Sequence, residues 1–346
     1  MRKALLIGLL GLVASSCRTA DSLSPGERNP SNATATLEVR FEPPGDSLFK
    51  LDGDLATENW DFGLRVRGDV GRLERLRIEH HSAGMLRHVV ELDRTALNAY
   101  RAEPGGDGLL FGRLFQQLPA MLEIDRLRVV LLEGEQEIGR AEVPLTRYEQ
   151  KNRFRLPVSG CWFVSSGHDF GVEHRRWYNR SHFAWDLIRV NEAGEPGAGP
   201  ALAESFSFGQ AVVAPAAGTV LEVRDGGEDR APGHPGSREE ANFILIDHGG
   251  GEYSRLVHLK KGSIRVRRGE HLQANQLIGE VGNSGMTDGP HLHVAFETEG
   301  VDASTGERVS IPLPIRFSGY RLTSNQGTRT PVELGRPRRG QFICAD

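Results

Sequence analysis

Gly282-Asn283-Ser284-Gly285-Met286-Thr287-Asp288-Gly289-Pro290-His291-Leu292-His293-Val294-Ala295-Phe296 is the stretch on which the reading of this chain turns. Up to Pro290 it is glycine, proline and small polar residues, the composition of a turn rather than of a helix or strand. From Leu292 to Phe296 it is apolar apart from His293, which reads as a short strand. Side chains alternate along a strand with period two, so His291 and His293 face the same side. Two such imidazoles often do no more than meet solvent. Their company decides what they are for.

Upstream, Ser181-His182-Phe183-Ala184-Trp185-Asp186-Leu187 is aromatic and apolar and reads as another strand. His182 and Asp186 stand four apart and would share a face. Laid side by side, the two strands bring an imidazole, a carboxylate and a second imidazole round one point. With a water in the fourth position, that is the donor set of a catalytic zinc site. The surrounding segments read as antiparallel β. Val212 to Val223 is a hairpin about Ala214-Pro215-Ala216-Ala217-Gly218, and Gly226 to Ala241 an exposed polar loop. Phe243 to Asp247, Ile264 to Val266, Gln276 to Val281 and Leu292 to Phe296 are strands. No helical pattern alternates with them, which argues against a parallel sheet.

Together these segments resemble the M23 metallopeptidases, the lysostaphin-type peptidoglycan endopeptidases. Gly282 to His293 is similar to that family's signature. Further matches follow in family order: the His182–Asp186 pair, the hairpin from Val213 to Val220, Asn242 to Gly249, Val257-His258-Leu259, Val266 to Gly269 and Gln276 to Gly282. The resemblance covers roughly residues 158 to 300. It implies a mainly β, antiparallel, duplicated hybrid-like peptidase domain. It also implies that His182, Asp186 and His293 hold Zn2+, with His258 and His291 as catalytic histidines beside it. The implied reaction is hydrolysis of peptide cross-links in peptidoglycan; the alternative is a non-catalytic regulator of another cell-wall hydrolase. Ala184, Leu256, Val294 and Ala295 depart from the family's usual residues, at positions that bear on groove shape. His248, beside three glycines, reads as a turn residue, and His168 and His174 as residues that line the cleft.

The rest of the 346 residues reads as leader, tether and a second domain. Arg2 and Lys3 precede an apolar stretch from Ala4 to Val13 and small residues running into Cys17, the pattern of an export signal. Residues 1–17 resemble a lipoprotein signal, with simple secretion as the alternative. A lipidated Cys17 would anchor the chain to a membrane in the periplasm. Arg18, standing where an inner-membrane retention aspartate would be, favours the outer membrane. Residues 18–34 are a polar tether. With Cys17 acylated, Cys161 and Cys344 remain, and an oxidising compartment permits them to pair.

Residues 35–155 read as a β-rich, sandwich-like domain that offers a regulatory protein a place to act, and 156–346 as the peptidase domain with a C-terminal extension. In the first, Leu37, Val39 and Phe41 alternate with polar neighbours, while Leu109 to Ile124 reads as helical, interrupted at Pro119. His80, His81 and His88 lack an acidic or cysteine partner at ligand spacing and read as core or surface residues. A net charge of −4 with no basic run argues against nucleic acid as a partner.

Overall fold

The computed structural model describes residues 36–345, except 54, 103–107, 169–173, 175–180, 192–193, 198, 302–305 and 325–326. The signal segment, Cys17 and the tether lie outside the described residues. Two hydrophobic cores organise the remainder.

The first core lies between two five-stranded sheets. One is built on Thr57–Arg67, paired on one side with Glu38–Glu42 and on the other with Leu109–Pro119. The other runs Leu48–Phe49, Gln136–Thr146, Arg126–Glu133, Arg75–Ser82, Met85–Asp93. Trp60, Phe62 and Leu64 from the first sheet meet Leu76, Ile78, Leu127, Val129 and Leu131 from the second. Every second residue points inward, as in a sandwich. His80 belongs to this core: its Nδ1 lies 3.3 Å from the His88 carbonyl, and burial pushes its pKa down to about 4.

Leu109 to Ile124 is not a helix. Leu109–Pro119 is a strand, followed by a short 3-10 turn at Ala120–Leu122. A bulge explains the misleading spacing. Phe62 opposes Leu114 while Leu64 opposes Phe111, so the Leu109 strand carries an extra residue, and Arg113 takes a positive φ of 59°. That insertion puts two inward-facing residues three apart, which imitates a helix.

The second core fills one side of an eleven-stranded sheet. At its centre the order is Gly218–Arg224, Phe243–Asp247, Tyr253–Val257, Leu292–Val301, Trp185–Arg189, Gly160–Ser166, Phe342–Ala345, antiparallel at each step. Val212 to Val223 is not a hairpin. Ala211–Val213 pairs with Leu277–Glu280 in a separate ribbon, whereas Gly218–Arg224 pairs with Phe243–Asp247. The proline-containing corner between them is held from outside: Ala214 N–H donates to the Gln276 carbonyl, and Arg155 N–H to that of Pro215. Ile264 to Val266 is not a strand either; a bond from Arg265 N–H to Ile278 ties it down.

Two devices fasten the ends of this second domain. Cys161 and Cys344 oppose each other on paired strands and are disulfide-bonded, closing a separation of 183 residues. In the chain-entropy account a loop of that size contributes at most about 5 kcal/mol. The second device is Glu252, buried to 0% exposure. Its carboxylate accepts from Tyr148 Oη at 2.6 Å, from the backbone N–H groups of Lys151 and Asn152 at 2.8 Å, and from Asn152 Nδ2 at 2.9 Å. The connection between the two cores is thereby fixed to the eleven-stranded sheet.

Candidate metal centre

Asp186 and His293 are direct partners across neighbouring strands, and His293 is in turn opposite Val257. The sheet therefore delivers a carboxylate and an imidazole to one face, with His258 one residue beyond the end of the Tyr253–Val257 strand. His258 takes a left-handed φ of 64°. For a non-glycine residue this costs about 1–3 kcal/mol, tolerated where the surroundings over-determine it. Here they do: Leu259 N–H is bound by Asn242, and His258 Nδ1 lies 2.8 Å from the Ser284 carbonyl. With Nδ1–H donating there, Nε2 keeps its lone pair.

The signature loop holds Ser284 in place. Gly285 has φ +80°, and a Cβ on it would come within 2.5 Å of the Ala241 Cβ. Ser284 Oγ accepts from Asn242 N–H and donates to the Leu259 carbonyl. Further along, His291 Nδ1 donates to the Gly289 carbonyl at 2.9 Å, with Thr287 Oγ1 at 3.2 Å.

Four imidazoles gather about Asp186. His293 Nδ1 lies 2.9 Å from Oδ1, His291 Nε2 3.4 Å from Oδ1, and His174 Nε2 3.1 Å from Oδ2. His258 completes the cluster, its ring centroid 4.7 Å from that of His291. Ligand atoms of His174, Asp186 and His293 lie within 4.8 Å of one another, as do those of His258, His291 and His293. Burial acts on Asp186, His258, His291 and His293. It would raise the Asp186 pKa, but His174 and His291 hold it well below the usual carboxylate range. Burial drives His258 well down, reinforced by His291 and His293. It also lowers His293, against the Asp186 hydrogen bond. For His291 burial is outweighed by the Asp186 charge, and its pKa is raised.

His182 is not brought to this group. It sits in a turn closed by Ala184 N–H donating to the Ser181 carbonyl, and the strand begins only at Trp185. The four-residue spacing to Asp186 therefore does not put both on one strand face. His182 Nε2 lies 3.2 Å from Asp61 Oδ1 of the N-terminal sandwich, and His174 stands at Asp186 in its stead. Nothing in the sequence around His174 marks it as a partner of Asp186. Of the other histidines, His168 donates from Nε2 to the Phe183 carbonyl at 2.6 Å and stacks on Trp185, away from the cluster. His248 is bound to the Ala217 carbonyl and to Ser254.

The donor set suits zinc. The half-buried Asp186 carboxylate faces ring nitrogens rather than a lysine or arginine among the described residues, and imidazole with carboxylate is the ligand chemistry of catalytic zinc. Beside it lies a cavity of about 430 Å³ lined by Ser165, Asp186, Gly197, Gly289, Pro290 and His291.

Residues 202–305 match the family described as Peptidase family M23. The chain carries an M23 peptidase domain. His258, His291 and His293 lie within the matched residues, while His174, His182 and Asp186 precede them. Among curated relatives, the M23 domain is 39% identical over 59 residues to the peptidoglycan DD-endopeptidase ShyA of Vibrio cholerae, covering 17% of this chain and 13% of that one. It is 31% identical over 88 residues to lysostaphin of Staphylococcus staphylolyticus, covering 25% of this chain and 17% of that one. The chain thus spans less than a fifth of the length of these two relatives. Among solved structures, a zinc-containing peptidase from Vibrio cholerae aligns with a TM-score of 0.29 and 14% identity, over 76% of this chain and 84% of that one.

Proposed function

We propose that this chain is a zinc-dependent endopeptidase that hydrolyses peptide cross-links of bacterial peptidoglycan. The carrying observation is one cluster that holds both a zinc donor set and two further histidines beside an open cavity. The names of the relatives, a peptidoglycan DD-endopeptidase and lysostaphin, support the substrate class.

Asp186 and His293, with a third imidazole, would hold the ion. Bound zinc supplies Lewis acidity, lowering the pKa of a coordinated water from about 15.7 to about 7 and polarising a carbonyl. The chain's own groups do the rest. His258, with Nδ1–H committed to the Ser284 carbonyl, offers Nε2 as the acceptor for the proton of the attacking water. His291, oriented by Gly289 and Thr287, directs Nε2 toward the same group and is placed to bind the developing oxyanion. The glycine- and proline-lined cavity admits a backbone with small side chains.

The reading extends to location. A lipidated Cys17 would tether the enzyme in the periplasm, on the outer membrane, and the Cys161–Cys344 disulfide is in keeping with an oxidising compartment. The test joins zinc content of the purified chain with muropeptide mapping of digested peptidoglycan. The wild type should carry zinc and release cross-link fragments, and His293→Ala should do neither. Zinc without cleavage would instead favour a regulator of another hydrolase.

A further inference from the structure

A second cavity, of about 410 Å³, lies behind the strand that carries Asp186. Trp185 and Asp186 are successive on that strand and point to opposite faces. The Trp185 indole donates to the Pro337 carbonyl at 2.9 Å and stacks on His168, and Pro337 and His168 both line the cavity. None of its lining residues is shared with the cavity beside Asp186. Asp52, Asn59, Gln117, Arg316, Arg336 and Arg338 give it its chemistry, so its wall carries three guanidinium groups and one carboxylate. We propose that this cavity is a peptide-binding site separate from the candidate metal centre, which holds a terminal carboxylate against Arg316 and Arg336. That the peptide is a peptidoglycan stem rests on the proposed function; the site itself does not.

Asp52 shows what the wall accepts. Its carboxylate takes a bond from Arg147 and one from Arg316 Nη2 at 3.0 Å, with Arg336 Nη1 at 3.9 Å. Burial works against its charged form, yet Arg147, Arg316 and Arg336 hold its carboxyl below the usual range. Planar guanidinium forks match a carboxylate, and one carboxylate does not exhaust three of them. The arginines are also held in place. Gln150 grips the Arg316 backbone from both sides, its Oε1 accepting from the N–H at 2.7 Å and its Nε2 donating to the carbonyl at 3.0 Å. Arg336 Nε donates to the Pro314 carbonyl, and its side chain is only 16% exposed, so water competes weakly there. Another part of the wall is an amide row. Leu51, Asn59 and Gln117 are cross-strand neighbours, on the outward face because Trp60 points into the core. Asn59 is buried, and its Oδ1 has no hydrogen-bond partner among the described residues. A peptide N–H brought to this wall supplies one. Leu334 and Pro337 add apolar surface for a small side chain. Carboxylate, amide and small apolar group together are the end of a peptide.

The test is binding of acetyl-D-alanyl-D-alanine to the full chain, by isothermal titration calorimetry. The free acid should bind, and its C-terminal amide about tenfold more weakly or worse. Arg316→Gln should weaken binding of the acid by about tenfold or more, with zinc content and thermal melting unchanged. Arg336→Gln repeats the measurement if the first variant unfolds. His293→Ala, shown folded by its thermal melt, should bind the acid as the wild type does. Inorganic phosphate, which makes no use of Asn59, should compete about tenfold less well than the acid. No binding of the acid, equal affinity for acid and amide, or full binding by the arginine variants would overturn the proposal. So would binding lost in His293→Ala, or phosphate competing as well as the acid. Failure of the parent reading is distinct: a chain that binds the acid yet releases no peptidoglycan fragments keeps the site and loses the endopeptidase.

Discussion

The two halves of the candidate metal centre are built by different means. His258, His291 and His293 belong to one sheet and its signature loop, within about 35 residues of sequence, and nearly every restraint on them is a backbone bond from that same segment. Asp186 belongs to the other half: its strand position is exact, His174 stands 3.1 Å from its Oδ2, and His182 is turned instead to Asp61, 121 residues away. A site half made by register tolerates little choice of residue.

The sharpest way to break the comparison is to remove the residue on which both halves converge. Asp186→Ala takes away the contact partner of His174, His291 and His293 together. Zinc should be lost and peptidoglycan hydrolysis should fall by about a thousandfold or more, since no activated water remains near neutral pH. Retained zinc at unchanged stoichiometry would show that the register half holds the ion alone. Next in size is His258→Ala, which should keep zinc while turnover drops roughly a hundredfold or more. Metal content measured alongside kcat separates the two effects.

How much of this was legible in the sequence follows the same division. The strand from Leu292, the shared face of His291 and His293, and the arrival of Asp186 beside them could be read because period-two alternation and glycine turns are local signals. The sandwich, too, showed in its alternation, and the cysteine count pointed to Cys161–Cys344. What could not be read required long-range pairing. The bulge at Arg113 made a strand look helical. The corner at Pro215 looked like a hairpin because nothing local says that its two strands join different sheets. His182 looked like a ligand because its spacing to Asp186 assumes an extended chain, and Ser181 to Ala184 closes into a turn instead.

A third prediction tests the connection between domains rather than the site. Glu252 accepts four hydrogen bonds, two of them from backbone N–H groups, with no exposure to water. Glu252→Gln keeps the shape but replaces a charged acceptor with an amide that has one acceptor oxygen. Stability should fall by about 2–3 kcal/mol, read from chemical denaturation, with zinc affinity unchanged. A matching loss of zinc would show that the Asp186 half of the centre leans on this clamp as well.

The smallest effect distinguishes restraint from chemistry within the register half. Thr287 Oγ1 lies 3.2 Å from His291 Nδ1, 2.8 Å from the Gly289 carbonyl and 3.1 Å from Asn283 Oδ1. It braces the loop that turns His291 toward Asp186 and touches neither Asp186 nor His293. Thr287→Val preserves volume and removes the hydroxyl. The Gly289 carbonyl still accepts from His291 Nδ1, so the ring keeps its tautomer but loses part of its aim. Removing a partner one step from a metal centre commonly costs about ten- to a hundredfold. Because the Gly289 bond survives, the drop in kcat should lie near tenfold, with zinc affinity unchanged. A loss as large as that of His258→Ala would mean that the position of His291, not its presence alone, limits the reaction. No loss at all would mean that backbone bonds suffice to hold this half of the site.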